Sequence, residues 1–370
     1  MKVLQIIPSL AKGGAERIVL DTCIELSKRK GIELKLVTFH DKNSYSFLSE
    51  KIEHQIIESQ VLPSLKGKNI SEVKELQDLI NDFQPDIIHS HLFESEMVLS
   101  QIDFKHAKHI VHFHDNMIQL KKIKANKKIN KQTITNWYER KIVVKAYKNS
   151  RTRFIAISKD TENFIHKNLP SKIPTDLLHN AINTSVFHVS ANEPRENRMV
   201  IIGSLVDKKG QSLAIDVVSI LTQKGFPIQL DILGDGKNRV QLQNQIDDLK
   251  LNDKVNLLGN VDHPEEFLKR AKIYLHTAIY EPFGLVLLEA MSAGLPIVCT
   301  DAGGNRDIIE HGKNGYIFQE RNPEVLANQI IELLENEPKR QEICQYAQNF
   351  AKNYDIKNYV DRLLEIYNSF

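Results

Sequence analysis

Short apolar runs alternate with longer amphipathic stretches along almost the whole chain. In the first half, residues 15–29 carry apolar side chains along one helical face, and a second helix is predicted at about 134–148. The apolar runs between such stretches predict strands at 3–7, 33–39, 86–89, 108–113, 153–157 and 175–178. Continuously apolar strands that alternate with helices predict a parallel sheet that is covered on both faces.

The second half repeats this alternation. Strands are predicted at 199–202, 228–233, 255–258, 273–276, 296–299 and 316–318, and the chain from Pro323 onward is predicted to be helical. The polar stretch 189–197 contains Pro194 and has no hydrophobic period, so it is the predicted linker between the two halves. The last segment, 355–370, is amphipathic, and we expect that it can pack back on the first half.

The sequence thus predicts an α/β protein with two Rossmann-like, doubly wound domains, residues 1–188 and 189–354, that face each other across a cleft. The length of 370 residues also favours two domains over one. Ligands of doubly wound sheets bind beyond the carboxyl ends of the strands, so the motifs that carry chemistry are expected there.

Composition narrows the class of protein. Apolar residues make up 41% and charged residues 26% of the chain, as is typical of soluble globular proteins. No apolar run approaches the roughly 18 residues that span a bilayer, and the first apolar run is too short for a signal peptide. The cysteines, Cys23, Cys299 and Cys344, have neither metal nor disulfide spacing, so a cytoplasmic location is expected.

Charge is concentrated in one region, residues 105–153, which we call the basic segment. It carries fourteen Lys or Arg against Asp115 and Glu139, a net charge of +12 in a chain whose total is +2. Such a field predicts an anionic partner, and the stretch 117–129 is amphipathic enough to lie on an anionic membrane surface. The alternative is a solvated, lysine-rich loop and helix. A nucleic-acid partner is not expected, because no recognisable motif with interleaved aromatic residues accompanies the charge.

Glycine turns follow three of the predicted strands. Gly13 and Gly14 open the first helix, Gly203 precedes Lys209 by six residues, and Gly234 ends another strand in L-G-D-G. Glycines allow close backbone approach, and a helix N-terminus beside a lysine attracts a phosphate. Each turn is also compatible with a plain connection between a strand and its helix, and the G-x-G-x-x-G pattern of dinucleotide sites is absent from the first turn.

The most informative block is residues 280–309. Glu281 precedes Pro282, which suits the first turn of a helix, and Glu289 lies inside that helix. The first N–H groups of the helix are expected to hold a phosphate, while Glu289 accepts bonds from a ribose diol and Glu281 faces a sugar ring. The alternative is two ordinary surface glutamates. Glu289 lies among apolar residues, however, where an unpaired carboxylate would be costly.

Four histidines lie near the ends of two predicted strands: His89, His91, His112 and His114. The residue type alone allows a zinc site. Adjacent strand ends in a parallel sheet also bring histidines together without any metal, so no metal site is expected. His114 is expected to face a ligand, and a histidine satisfied within the core is the alternative.

The order and spacing of these motifs resemble glycosyltransferase family 4, whose members have the GT-B fold. The resemblance covers nearly the whole chain, and its most specific part is E-P-F-G-L-V-L-L-E-A-M-S-A-G-L-P-I-V at 281–298. The other matching segments are G-G-A-E-R at 13–17, P-D-I-I-H-S-H at 85–91, F-H-D at 113–115, F-I-A-I-S-K at 154–159, H-N-A-I-N at 179–183, G-S-L-V-D-K-K-G at 203–210 and L-G-D-G at 233–236.

The resemblance implies a retaining glycosyltransferase that uses a nucleotide diphosphate sugar, in the first instance a UDP-sugar, without a metal or other cofactor. It implies that His114 lies at the reaction centre, that Lys209 contacts the diphosphate and that Glu281 touches the transferred sugar. The nucleotide-sugar site would comprise Gly13, Gly14, Gly203, Ser204, Lys209, Gly234, Phe283, Gly284, Leu285 and Glu289.

The basic segment favours an acceptor that is a glycan or lipid-linked glycan in surface polysaccharide, capsule or lipopolysaccharide biosynthesis, because it lies in the first domain, where the family binds acceptors. The expected activity is hexosyl or N-acetylhexosaminyl transfer in the cytoplasm, at the inner face of the cytoplasmic membrane. Ser204 stands where members often have an arginine that binds the diphosphate, and Lys208 and Arg306 are the candidate replacements. A nucleotide-sugar epimerase of GT-B fold and a non-catalytic nucleotide-sugar-binding subunit remain as alternatives.

Overall fold

The structure, a computed structural model, describes residues 1–63, 70–123, 130–190 and 193–369. It divides into two compact units: unit 1 comprises Met1–Asn180 and Ile356–Phe370, and unit 2 comprises Ala181–Asp355. Within the described ranges, no helix combines the length and the apolar character needed to cross a bilayer.

Unit 1 is built around a seven-stranded parallel sheet in the order β3-β2-β1-β6-β7-β8-β9. Its strands, with the separate antiparallel pair β4 and β5, are β1 Lys2–Ile6, β2 Glu33–Thr38, β3 His54–Ile56, β4 Gln60–Leu62, β5 Ile70–Glu72, β6 Ile87–His91, β7 Lys108–Phe113, β8 Arg151–Ala156 and β9 Thr175–Leu177. The helices are α1 Gly14–Ser27, α2 Ser46–Ser49, α3 Lys74–Phe83, α4 Leu92–Leu99, α5 Lys131–Asn149, α6 Lys159–Asn168 and α14 Ile356–Asn368. The alternation of buried strands and amphipathic helices therefore produced the predicted covered sheet.

Three strands of unit 1 were not predicted: β3, β4 and β5. Each is three residues long and mostly exposed, so none has the apolar run or the alternation that marks a strand.

The C-terminal helix α14 belongs to unit 1, although the chain reaches it from unit 2. It packs against α1, and its apolar face buries Tyr359, Val360, Leu363 and Tyr367. The amphipathic pattern of residues 355–370 is the local signal for this packing.

Unit 2 contains a six-stranded parallel sheet in the order β12-β11-β10-β13-β14-β15. Its strands are β10 Arg198–Ile202, β11 Gln229–Leu233, β12 Val255–Gly259, β13 Ile273–His276, β14 Ile297–Thr300 and β15 Gly315–Phe318. Its helices are α7 Thr184–Phe187, α8 Gln211–Gln223, α9 Arg239–Asp248, α10 Pro264–Arg270, α11 Leu285–Ser292, α12 Pro323–Glu335 and α13 Glu337–Ala351. Winding proceeds outward in both directions from β10 and β13, which places a topological switch point between these two strands.

The chain enters unit 2 at Ala181, before the predicted boundary at residue 188. The reason lies in the packing of residues 181–188 on unit 2: the N–H of Ile182 donates to the carbonyl of Tyr354 at 3.0 Å, and Ser292 Oγ donates to the carbonyl of Thr184 at 3.1 Å. Arg195, within the predicted linker, donates to four carbonyls of unit 2, including that of Ala293 at 2.6 Å. These contacts attach the predicted linker to unit 2, except for residues 191–192, which lie outside the described ranges.

Candidate functional site

The loops that follow β10 and β13 form the candidate site of unit 2. Lys209 lies in the first loop and Glu281 in the second, at the carboxyl edge where the strand order reverses. Backbone bonds join the loops, since the N–H groups of Ile279 and Tyr280 donate to the carbonyl of Lys208 at 2.8 and 3.2 Å. The fold therefore brings together two predicted site residues that are 72 positions apart.

Lys209 and Glu281 form an ion pair. Nζ of Lys209 donates to Oε2 of Glu281 at 2.6 Å, and the two side chains retain only 19% and 10% of their exposure. Burial is the largest single effect and favours a higher pKa for Glu281, but Lys209, His276 and Lys208 together outweigh burial, and the pKa is lowered from its ordinary value. At neutral pH the site thus holds a carboxylate and an ammonium in contact.

His276 is a third side chain at this edge, and the sequence analysis did not single it out. Its Nε2 lies 3.6 Å from Oε2 of Glu281 and has no hydrogen-bond partner among the described residues. Burial lowers the pKa of His276 to about 4, so the ring is neutral at pH 7 and Lys209 is the cation in contact with Glu281. The sequence did contain a signal for this role, because His276 is the last residue of β13, a strand at the switch point.

Close backbone contacts hold the loop that carries Glu281. The N–H of Glu281 donates to the carbonyl of Ala302 at 2.8 Å, and the N–H of Gly304 donates to the carbonyl of Glu281 at 2.9 Å. A Cβ on Gly304 would lie 1.9 Å from the carbonyl oxygen of Pro282, so only glycine fits there. The predicted glycine pair after β14 therefore serves to position Glu281.

Arg321 donates hydrogen bonds to the backbone of the loop that carries Glu281, and the sequence analysis did not single it out. Its Nη1 donates to the carbonyls of Thr277 and Ala278, each at 2.9 Å. An arginine after a strand carries no local signal of this role, because its partners are backbone groups more than forty positions away.

The helix after Glu281 starts later than predicted. Pro282 is not in its first turn: α11 begins at Leu285, and Gly284 is its N-cap in a left-handed conformation with φ 104°. The parallel bridge between Glu281 and Gly303 keeps the preceding residues out of the helix. The N-terminus of the helix thus lies at Leu285 rather than at Pro282. The N–H groups that lack an intrahelical acceptor are therefore those of the turn that begins at Leu285.

Two further predicted residues of this block differ from each other in exposure. The side chain of Phe283 is 1% exposed and its ring lies 6.2 Å from that of Tyr354, so only its backbone is available to a ligand. Glu289 lies in the second turn of α11 and is half-buried, not enclosed as its apolar neighbours in sequence suggested.

The turn at Gly203 packs against the turn at Gly234. The N–H of Gly203 donates to the carbonyl of Leu233 at 2.9 Å, and a Cβ on Gly234 would lie 2.2 Å from the carbonyl oxygen of Gly203. Gly234 also has φ 132°, which favours glycine. Ser204 is exposed beside this contact, and its carbonyl accepts a bond from Gln211 Nε2 at 2.9 Å.

The two candidate replacements for an arginine at Ser204 differ in their surroundings. Nε of Arg306 lies 2.7 and 2.6 Å from the two carboxylate oxygens of Asp301, so this guanidinium is already paired. Lys208 is exposed, and no described residue forms an ion pair with it, although its charge helps to lower the pKa of Glu281. Lys208 is therefore the more available cation.

Gly13 and Gly14 lie in unit 1, at the start of α1. Gly13 is the N-cap with φ −168°, an extended conformation open to any residue. Its N–H donates to the Tyr45 hydroxyl at 3.2 Å, and that hydroxyl donates to the carbonyl of Gly13 at 3.0 Å. Residues 7–13 lie between the end of β1 and the start of α1, so this connection is longer than a direct turn from strand to helix.

The four histidines that the sequence analysis singled out are buried together in unit 1: His89 and His91 on β6, His112 on β7 and His114 just after β7. His91 Nδ1 lies 2.8 Å from His114 Nε2, and His89 Nε2 lies 3.1 Å from His112 Nδ1. Burial lowers the pKa of His114 to about 3, so its ring is neutral at pH 7. His114 Nδ1 is buried and has no hydrogen-bond partner among the described residues.

A metal is not required to explain this cluster. His89, His91 and His112 offer ring nitrogens within 4.8 Å of one another, as a metal centre would need. Each ring already forms a hydrogen bond at 2.7–3.1 Å with a neighbouring side chain, so these contacts account for the cluster as neutral imidazoles, although His112 Nε2 has no partner among the described residues. The absence of a metal remains a prediction.

Two sequence profiles match the chain and meet near the boundary of the units. The profile for Glycosyltransferase Family 4 matches residues 12–186, and the profile for Glycosyl transferases group 1 matches residues 184–350. The chain belongs to glycosyltransferase family 4. The resemblance inferred from the motifs is thereby confirmed.

Curated relatives of this family 4 protein include two enzymes named for polyol-phosphate polymers. The poly(glycerol-phosphate) α-glucosyltransferase of Bacillus subtilis is 33% identical over 172 residues, which cover 46% of this chain and 26% of that enzyme. The poly(ribitol-phosphate) α-N-acetylglucosaminyltransferase of Staphylococcus aureus is 29% identical over 170 residues, which cover 45% of this chain and 34% of that enzyme. The chain thus spans well under two thirds of the length of either relative.

The solved structure of Anabaena HepE in complex with UDP-glucose has a similar fold. It superimposes with a TM-score of 0.82 at 22% identity, and the match covers 100% of both chains. The family 4 protein therefore has the GT-B fold, and the predicted fold class of Rossmann-like domains with parallel sheets is confirmed.

Proposed function

We propose that this family 4 protein is a retaining glycosyltransferase that moves a hexosyl or N-acetylhexosaminyl group from a UDP-sugar to a glycan or lipid-linked glycan. The observation that carries the proposal is the Lys209–Glu281 pair at the switch point of unit 2, close in sequence to the start of α11. A cation and a helix N-terminus suit a diphosphate, and a carboxylate suits the hydroxyl groups of a sugar.

The diphosphate would compete with Glu281 for the ammonium of Lys209. As Lys209 turns to the phosphate oxygens, the carboxylate of Glu281 is released to accept bonds from sugar hydroxyls. Lys209 and the N–H groups of α11 then stabilise the negative charge that develops on the departing diphosphate. Glu289, one turn further along α11, would hold the ribose.

Retention follows in this proposal from attack of the acceptor on the face of the sugar that the leaving group occupies. No enzyme nucleophile is then required. The names of both curated relatives specify α-linked products, which supports retention for a donor that is itself α-linked.

The donor is proposed to be a UDP-hexose or a UDP-N-acetylhexosamine. The HepE structure contains UDP-glucose, and the two relatives are named for glucosyl and N-acetylglucosaminyl transfer. Metal and other cofactors are not expected.

The acceptor is proposed to be anionic or held at an anionic surface, as in surface polysaccharide, capsule or lipopolysaccharide biosynthesis at the cytoplasmic membrane. Ile118 and Trp137 of the basic segment are 66% and 50% exposed on elements that contact each other, and Lys141 Nζ lies 5.6 Å from the Trp137 ring centre. Such apolar anchors beside lysines suit a membrane interface. Part of the predicted amphipathic stretch, residues 124–129, lies outside the described residues.

Not every charge of the basic segment is available to a partner. Arg140 donates to the carbonyls of Leu120 and Asn168 at 3.0 and 2.7 Å, and Arg153 pairs with Asp176. The exposed lysines, rather than these arginines, would carry the interaction.

Vesicle sedimentation tests this surface. The protein is expected to bind vesicles that contain anionic lipid at low salt and to be released at high salt, whereas neutral vesicles should not bind. Trp137→Ala should weaken binding, while Val240→Ala, an exposed apolar residue of unit 2, should not. Equal binding of both variants would refute the assignment of this surface.

A donor screen tests the activity itself. Thermal stabilisation and slow hydrolysis are measured with a panel of nucleotide sugars, and one UDP-sugar is expected to stabilise the protein and to be hydrolysed. Glu281→Gln should retain the fold and lose hydrolysis. Conversion of a donor to its epimer without any acceptor would favour the epimerase, and unchanged activity of the native complex with Glu281→Ala would favour the non-catalytic subunit.

A further inference from the structure

Two hydrogen-bond chains run from one buried amide, that of Gln5 on β1, to the ends of the histidine cluster. Gln5 Oε1 lies 2.7 Å from His91 Nε2, and Gln5 Nε2 lies 3.1 Å from the hydroxyl of Tyr367 on α14. The Tyr367 hydroxyl lies in turn 2.7 Å from His89 Nδ1. All four side chains are buried, so water does not compete for these bonds.

The first chain determines which nitrogen of His114 carries the proton. The Gln5 oxygen can only accept, so His91 must be protonated at Nε2, and His91 Nδ1 is then an acceptor. His114 Nε2, 2.8 Å away, must donate to it. A neutral imidazole carries one proton, so His114 Nδ1 has none.

The second chain has the same polarity. The Gln5 amide donates to the Tyr367 hydroxyl, which donates to His89 Nδ1. His89 Nε2 then donates to His112 Nδ1 at 3.1 Å. One amide therefore sets the direction of both chains, and exchanging its oxygen and nitrogen would reverse every donor and acceptor in them.

We propose that Gln5 and Tyr367 are positioning residues that hold His114 as the tautomer protonated at Nε2. The unpaired Nδ1 is then an obligatory acceptor, and it takes a hydroxyl group of the bound ligand. That this ligand is a sugar or an acceptor glycan rests on the function proposed above; the tautomer does not.

The consequence for recognition is a choice between ligand groups. A ring that cannot donate at Nδ1 accepts a bond from a hydroxyl and leaves a carbonyl or ether oxygen unpaired. A deoxy analogue would leave His114 Nδ1 unpaired, which should weaken its binding roughly ten-fold or more. The C-terminal helix contributes to this choice through Tyr367, whose hydroxyl accepts from the Gln5 amide nitrogen.

Nitrogen-15 NMR of histidine-labelled full-length protein without substrate reads the tautomer directly. His91 and His114 are expected to be protonated at Nε2 alone, with a scalar coupling across the bond from His114 Nε2 to His91 Nδ1. Gln5→Met should add a second set of signals with the proton on Nδ1. Gln5→Glu keeps an acceptor opposite His91 and should restore a single set.

Two near-isosteric variants serve as comparisons. Tyr367→Phe removes one hydroxyl and should alter the signals of His89 and His112 first. Thr38→Val removes a hydroxyl bonded at 3.0 Å to His54 in the same sheet and should leave His114 unchanged.

Protonation of His114 at Nδ1 in the unaltered protein would overturn the proposal, as would a single unchanged set of signals in Gln5→Met. With a donor and acceptor in hand, Gln5→Met should lower kcat/KM by the fraction of the competent tautomer that is lost. If the protein transfers sugar although His114 is protonated at Nδ1, only this inference is refuted. If His114 is protonated at Nε2 but no sugar is transferred, only the proposed function is refuted.

Discussion

Replacement of Lys209 by methionine removes the cation of the central ion pair and retains most of the aliphatic stem. Glu281 would then be a buried carboxylate with no cation in contact, beside a neutral His276. Loss of one partner from a buried pair costs about 3–5 kcal/mol. Because Lys209 and Glu281 retain 19% and 10% exposure, we expect about 2–3 kcal/mol at pH 7.

The cost should depend on pH. In the unaltered protein the folded pKa of Glu281 is lowered, so its stabilisation is present above the unfolded pKa and is lost as pH falls through the folded pKa. In Lys209→Met, burial without the ammonium raises the folded pKa. The penalty is then present at neutral pH and shrinks as pH falls, so the two proteins should differ most near pH 7 and least near pH 4.

Thermal unfolding of the full chain is the assay, with unit 2 expected to melt lower by roughly 4–12 °C at pH 7. The double variant Lys209→Met/Glu281→Gln should recover part of the loss, since it removes the stranded charge. Lys224→Met is the control: its partner Glu324 lies 2.8 Å away on the surface, and we expect a loss of less than about 1 kcal/mol. Equal losses for both lysines, or no recovery in the double variant, would refute the account of the pair.

Three further outcomes are expected. Gly304→Ala should lower the free energy of unfolding by about 3 kcal/mol or prevent folding, because a Cβ there meets a backbone carbonyl. Gly312→Ala has open space around the Cβ and φ +79°, so it should cost only about 1 kcal/mol. Equal Tm values for the two variants would contradict this explanation. Burial raises the pKa of Glu96 to about 7, so the free energy of unfolding of the unaltered protein falls as the pH rises from about 4.5 to 7. In denaturant titrations over that range, Glu96→Gln should become more stable than the unaltered protein by up to about 3 kcal/mol, because its side chain does not ionise. Glu94→Gln, at an exposed position, should show no such gain. Ser204→Arg should tighten binding of UDP roughly ten-fold by calorimetry, and weaker binding would show that an arginine at this exposed position does not reach the diphosphate.

Much of the fold was predictable because its signals are local. Buried strands and amphipathic helices leave runs and periods that a single sequence shows, so every strand of the sheet in unit 2 was anticipated within a few residues. The short, exposed strands β3, β4 and β5 of unit 1 have no such run and were missed. The start of α11 was misplaced because Pro282 satisfies a general preference, whereas the bridge from Glu281 to Gly303, a tertiary contact, delays the helix.

The sequence by itself determined the α/β class, the family, and the placement of Lys209, Glu281 and His114 after strands, since parallel strands present their carboxyl ends to one edge. Only the tertiary structure decided what these side chains touch. Lys209 meets Glu281 because β10 and β13 are neighbours, and the Gln5 amide meets the Tyr367 hydroxyl 362 positions away because α14 returns to unit 1. Such pairings depend on strand order and on the path of the chain through space, and neither leaves a periodic trace in the residues.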